Sequence, residues 1–342
     1  MPETPDDAAS FSAGGRPLRV AFLGTGPFAV PSFEALLASR HEVVGLVTQP
    51  DRTGRGHHRH INPLKVAAEA AGIAVLQPTN INDDDSRAAL EALQPQLLLT
   101  ASYGQFLGRR VRELAPLGAI NLHASLLPKY RGAAPVQHAV WNREPLSGVT
   151  VFQIERGMDT GPVLATIERS VAPDESAASL FGRLAEAAAE VALTTLDDLS
   201  HGRVVALPQD HAAATLAPKL TKADGRLDWS QPAERVRGQI LATQPWPKPT
   251  TTWHPRESEP RDLLILAATP VDELALPDES ESAGIPLQFT PGLVLRADDQ
   301  LVVACGDGRL RIDRVQPPGK AAMPAAAFLN GTPIQPGDRF GQ

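Results

Sequence analysis

"RVAFLGTGPFAVPSFEALL" (Arg19–Leu37) decides how the fold is read. A short apolar run ends in Gly24-Thr25-Gly26, Ala29 follows three residues later, and a helical pattern begins. This G-x-G-x-x-A outline is that of a dinucleotide-binding turn between a strand and a helix. An NAD site also needs an acid about 20 positions further on to bind the ribose. Asp51 stands 25 positions after Gly26, a poor fit. Pro27 and Pro31 suit the start of a helix, and Phe28 would crowd a pyrophosphate there. The turn is therefore read as strand-to-helix geometry without a dinucleotide, with an NAD-dependent oxidoreductase kept as a rival.

Working outward, apolar runs recur at 18–23, 42–48, 73–77, 96–101, 118–123 and 148–154, with helical patterns at 29–39, 62–71, 84–93 and 133–142. Short strands that are apolar on both faces and separated by helices predict a mostly parallel, doubly covered α/β sheet. A long amphipathic helix is expected from Ser176 to Leu199, ended by Gly202. After it the character changes. Prolines cluster at 244–249 and β-like runs follow at 263–268, 292–297, 301–306 and 310–316, the pattern of a small antiparallel barrel or sandwich. The domains are read as a disordered tail at 1–16, a catalytic domain at 17–203, a linker at 204–225 and a C-terminal domain at 226–342. The acidic stretch 271–282 is expected to be an exposed loop.

Composition narrows the function. No apolar run approaches the ~18 residues of a membrane span, so no membrane partner is expected. The start of the chain carries acids and lacks the apolar segment of a signal peptide. The single cysteine, Cys305, rules out an internal disulfide and a multi-cysteine metal site. A cytoplasmic address follows as the simplest expectation. The net charge of −7 argues against indiscriminate nucleic-acid binding.

The densest chemistry lies in AINLHASLLPKYRGAAP (119–135). Asn121 and His123 alternate at a strand's end, which puts both on one face. An amide and an imidazole converging there can stabilise an oxyanion, and the imidazole can move protons near neutral pH. Asp159, in ERGMDTGPV, is the third candidate, since a carboxylate beside His123 would orient the ring. The blander readings are a hydrogen-bonding histidine and a turn aspartate. No serine or cysteine has a suggestive partner, which favours direct transfer over a covalent intermediate.

"NLHASLLPKYRGAAP" followed by "GVTVFQIERGMDTGPVLA" resembles the folate-dependent formyltransferase family. "VVGLVTQPDRTGRG", "APKLTKADGRLDWS" and "VACGDGRLRIDRVQPPGKAAM" are similar to the branch that acts on methionyl-tRNA, and the resemblance runs from about Leu18 to Phe340. It implies a Rossmann-like formyltransferase domain followed by a small OB-like β-barrel domain that binds tRNA. It implies that Asn121, His123 and Asp159 are the catalytic set, transferring the formyl group of 10-formyltetrahydrofolate to the amino group of initiator methionyl-tRNA. Ser125, Leu126, Leu127 and Pro128, and more weakly Tyr103 and Gly104, would line the folate pocket. No metal and no NAD are implied. The enzyme is expected to be a monomer. After Gly-Thr the family usually has Pro and an acid, where this chain has Gly26-Pro27.

RTGRGHHRHINPLK (52–65) carries Arg52, Arg55, Arg59 and Lys65 and no acid, which suits phosphate contact. Arg55 matches the arginine of the family's tRNA-inserting loop, although this loop is about one residue shorter than usual. His57, His58 and His60 leave a metal site open as an alternative, and a merely solvated basic loop is another. From Lys219 to the end, 14 Lys and Arg face 16 Asp and Glu, but five of those acids lie in 272–281. A basic face is therefore possible, with Lys219, Lys222, Arg309, Arg311, Arg314 and Lys320 as its candidates. Two further rivals stay open: a formyltransferase acting on a small amine, and a nucleic-acid-binding module without chemistry.

Overall fold

The structure is a computed structural model that describes residues 15–51, 62–256, 259–271 and 290–341. The N-terminal tail, the basic loop and the acidic loop expected from the sequence thus lie wholly or largely outside the described residues.

The first half of the chain runs β1 (Arg19–Gly24), α1 (Ala29–Leu37), β2 (Glu42–Val47), α2 (Pro63–Ala70), β3 (Val75–Leu76), α3 (Asp84–Glu91), β4 (Leu97–Ala101), α4 (Arg109–Arg112) and β5 (Ala119–His123). Then come α5 (Pro135–Trp141), β6 (Leu146–Gln153), β7 (Val163–Ser170) and α6 (Ala177–Ser200). Seven strands form one sheet in the order β3-β2-β1-β4-β5-β6-β7. The pairs from β3 to β5 are parallel; β5–β6 and β6–β7 are antiparallel. β4 is buried along its whole length and β1 in all but its first residue, as in a parallel strand covered on both faces. The mostly parallel sheet expected from the sequence is present. The β6–β7 pair is antiparallel because the short link between Gln153 and Val163 cannot hold the long crossover that a parallel pair needs.

Parallel pairing brings the carboxyl ends of β1, β2, β4 and β5 to one edge. The opening turn sits there. Gly24 has no room for a side chain, since a Cβ would lie 2.5 Å from the Phe22 ring and 3.2 Å from the Ala101 carbonyl oxygen. Phe28 is 2% exposed and its ring packs edge-on against Phe181, with centroids 5.6 Å apart. Thr25 Oγ1 accepts from the Gln49 N–H (3.1 Å) and lies 2.9 Å from Thr48 Oγ1, which ties this turn to the end of β2.

The second half contains α7 (Ala233–Ala242), β8 (Thr250–His254), β9 (Arg261–Pro270), β10 (Val294–Ala297), β11 (Leu301–Ala304), β12 (Arg309–Gln316), β13 (Met323–Pro324), α8 (Ala325–Leu329) and β14 (Arg339–Phe340). The strands pair antiparallel in the order β10-β11-β12-β9-β8-β14, with β13 added to β12. A bridge between Leu293 and Arg339 joins the two ends of this path, giving the nearly closed, OB-like barrel expected. Trp229, Trp253, Ile265, Val303, Cys305, Ile312 and Phe340 belong to its core. Along β12, Leu310 and Ile312 are buried, while Arg309 and Arg311 alternate with them on the more exposed face.

The chain divides into two compact units. The first is Met1–Pro135, Leu146–Ser170 and Phe181–Pro218; the second is Val136–Pro145, Val171–Leu180 and Lys219–Gln342. The second unit thus includes most of α5. There Gly238 of α7 faces the Trp141 carbonyl oxygen at a distance of 2.4 Å from where its Cβ would lie, and Arg143 Nε pairs with Glu234 at 3.1 Å.

Candidate active site

β5 ends in Asn121-Leu122-His123, and its register with β4 and β6 sets what faces each polar side chain. Asn121 lies opposite Thr100 of β4, whose hydroxyl donates to Asn121 Oδ1 at 2.6 Å. With its carbonyl end held by a buried hydroxyl, the Asn121 amide keeps its NH2 group as the donor to offer. His123 is 6% exposed, and its ring meets Phe152 edge-on at 6.3 Å between centroids. Its Nε2 lies 2.9 Å from the Tyr130 carbonyl oxygen. A carbonyl only accepts, so that nitrogen carries a proton, and Nδ1 is left to face Asp159 Oδ2 at 3.7 Å. Asp159 and His123 are thus brought together, as the candidate set requires.

The Asp159 backbone has φ +52°, the left-handed region that aspartate tolerates better than most residues. Its Oδ2 accepts from the Gly132 N–H at 2.8 Å. Gly132, at φ +124°, must be glycine, because a Cβ would lie 2.7 Å from the Ala217 carbonyl oxygen. The 130–132 segment therefore grips both partners: Tyr130 holds the imidazole and Gly132 the carboxylate. It is backed in turn by residues 215–217. Arg131 N–H donates to the Thr215 carbonyl (2.9 Å), Ala217 N–H to the Arg131 carbonyl (2.7 Å), and Tyr130 N–H to Thr215 Oγ1 (2.8 Å). A segment read from the sequence as linker is thus part of the support of the site. Gly132 closes the Ser-Leu-Leu-Pro-x-x-x-Gly element that carries the family resemblance, whereas Tyr130, Arg131, Thr215 and Gln209 carried no sequence signal that singled them out.

The other sequence candidates are placed as follows. Ser125 is fully buried, and its hydroxyl donates to the Lys129 carbonyl at 2.7 Å. Leu127 is 9% exposed and its N–H donates to Thr150 Oγ1 at 3.0 Å, while Leu126 and Pro128 are half-buried. Tyr103 turns back into the protein: Ser102 (φ +49°) and Gly104 (φ +83°) reverse the chain, and the ring joins Leu23, Val47, Leu98 and Leu107 in a core cluster. Its hydroxyl is buried without a partner, and burial pushes its pKa above the ordinary tyrosine value. Lys65 Nζ is paired with Asp51 Oδ2 (2.7 Å) and Gln77 Oε1 (2.8 Å). Lys219, Lys222 and Lys320 are exposed. Arg52, Arg55, Arg59, His57, His58 and His60 lie outside the described residues. Among the described residues, no group of three or more His, Cys, Asp or Glu could hold a metal ion, and no helix is long and apolar enough to cross a membrane.

Comparison with known proteins gives the family. Residues 18–196 match the family model described as formyl transferase, and residues 219–333 match that of the formyl transferase C-terminal domain. The methionyl-tRNA formyltransferase of Solibacter usitatus is 40% identical over 326 residues, covering 95% of this chain and 99% of that protein. That of Desulfotalea psychrophila is 42% identical over 319 residues, covering 93% and 94%. Among solved structures, the sugar 3N-formyl transferase WlaRD aligns with TM-score 0.62 at 16% identity, over 89% of this chain and 99% of that one. HypX from Aquifex aeolicus, solved with tetrahydrofolic acid, aligns with TM-score 0.55 at 19% identity, over 95% of this chain and 51% of that one. These two show a shared fold. With matches spanning both halves and near-complete relatives at about 40% identity, the chain belongs to the formyl transferase family.

Proposed function

We propose that this protein transfers the formyl group of 10-formyltetrahydrofolate to the free amino group of initiator methionyl-tRNA, for use in translation initiation. The observation that carries this reading is the 40% identity to a methionyl-tRNA formyltransferase over 95% of this chain and 99% of that relative. The geometry supports the chemistry. The amine attacks the formyl carbon and forms the new C–N bond, and the formyl oxygen becomes an oxyanion. The Asn121 NH2 group and a proton on His123 Nδ1 are the donors for it. Asp159, 3.7 Å away, faces Nδ1 and orients the imidazole. As the tetrahedral intermediate collapses, the bond from the formyl carbon to the folate nitrogen breaks. The proton lost by the attacking amine ends on that leaving nitrogen, with Asp159 as the relay.

The 125–128 turn supplies an apolar folate wall through Leu126 and Pro128, and Tyr103 and Gly104 contribute backbone at the neighbouring strand end. Arg52, Arg55, Arg59, Lys219, Lys222 and Lys320 are assigned to tRNA phosphates; Lys65, tied to Asp51, contributes less. The enzyme is read as a cytoplasmic monomer that needs neither metal nor NAD. The test supplies 10-formyltetrahydrofolate with methionyl-tRNA, uncharged tRNA, free methionine or a small amino sugar. Formylation of the charged tRNA alone upholds the reading, and formylation of the small amine instead overturns it. The KM for tRNA should rise steeply with salt, and a flat dependence counts against phosphate recognition.

A further inference from the structure

Behind Asp159 lies a buried polar chain that the reaction itself does not use. Gln209 and Arg131 are each 8% exposed. The Gln209 amide donates from Nε2 to two carbonyl oxygens, those of Asp159 (2.9 Å) and Gly161 (2.7 Å). Its Oε1 accepts from Arg131 Nε (3.2 Å) and Nη2 (2.7 Å), and Nη2 also reaches His211 Nδ1 at 3.0 Å. A guanidinium can only donate, so Arg131 fixes which end of the Gln209 amide faces it, and thereby aims both amide protons at the 159–161 turn. That turn is where the backbone sits at φ +52°. A non-glycine residue stays in such a conformation only when its surroundings over-determine it. The adjacent Gly132 N–H then receives the Asp159 carboxylate at 2.8 Å.

We infer that the buried Arg131–Gln209 pair positions the catalytic carboxylate: it clamps the left-handed backbone of Asp159 so that Oδ2 faces His123. The two are positioning residues and touch no reacting atom. This inference rests on the formyl-transfer reading of the site, so its test has one arm that needs no substrate.

The variants are Gln209→Leu, which removes the clamp, and Gln209→Glu, which keeps an acceptor for Arg131 but has no proton to donate to the two carbonyls. In single-turnover formylation both variants should lose roughly ten- to a hundredfold in rate, with KM for tRNA and folate nearly unchanged. A purely structural role for Gln209 as the partner of Arg131 predicts instead that Gln209→Glu is rescued. In the substrate-free arm, a crystal structure of Gln209→Glu should show the 159–161 turn relaxed and Oδ2 withdrawn from the Gly132 N–H. Full rate in Gln209→Glu, or an Asp159 left in place with the clamp cut, overturns the inference. If the parent enzyme fails to formylate methionyl-tRNA, the proposed function falls while the crystallographic arm still decides the clamp. Should Gln209→Leu fail to fold, the near-isosteric Gln209→Glu carries both arms.

Discussion

Two strand ends on the same edge of the sheet look alike in sequence and differ in what they do. The β1 end, Gly24 to Phe28, carries the glycine outline of a phosphate-binding turn, yet its helix start is roofed by the buried Phe28 ring and its glycine is crowded by Phe22. The β5 end carries no such outline. It presents an amide and an imidazole, each held by a neighbour at one end: Asn121 by Thr100 and His123 by Tyr130. Glycines at a strand end report how tightly the chain turns. A site is reported by polar groups whose other hydrogen bonds are already made.

The contrast can be broken most forcefully at His123. His123→Ala should lower kcat by at least roughly 10²–10³, the loss typical of removing one oxyanion donor, with the fold intact by circular dichroism. Near-normal turnover would move the chemistry elsewhere. Asp159→Asn sharpens the same end. Asparagine tolerates the left-handed backbone, so this change removes charge while sparing conformation. On the proposed mechanism, in which the carboxylate acts through His123, a fall of about a hundredfold in kcat is expected.

At the β1 end the expected effects are on stability. Gly24→Val would drive a side chain into Phe22 and the Ala101 carbonyl, at a cost of about 1–3 kcal/mol read from denaturant unfolding. NADH added to the protein should give no binding signal by fluorescence; a saturable signal would restore the turn to a cofactor role. The smallest effect is expected in the core of the barrel. Burial pushes the Cys305 thiol up to about 12, so it stays protonated. The folded protein should therefore resist alkylation by iodoacetamide at pH 8, and should react once unfolded.

Much of this was legible in the chain. The parallel sheet announced itself by apolar runs separated by helices, and His123 and Asp159, picked out within a family pattern, do lie together in the structure. Tyr103 shows one limit. Its place just after a strand suggested a pocket, but two left-handed residues, Ser102 and Gly104, turn its ring into the core. The site's support shows another. Gln209 and Thr215 lie 50 and 85 residues from the groups they hold, Asp159 and Tyr130, and they act through an uncharged amide and a hydroxyl. Periodicity describes which face of its own element a residue occupies; it carries no record of a partner brought in by a distant segment.

The second compact unit is threaded from three stretches, Val136–Pro145, Val171–Leu180 and everything from Lys219 onward. During synthesis the two early stretches leave the ribosome long before the barrel that completes their unit. The nascent chain must hold them in waiting, exposed to chaperones and proteases, until the barrel has been made. For the same reason, a chimaera joined at residues 218/219 would exchange the barrel but leave two of its unit's three strands of chain behind. A clean swap with a relative needs the middle stretches to travel with the C-terminal half.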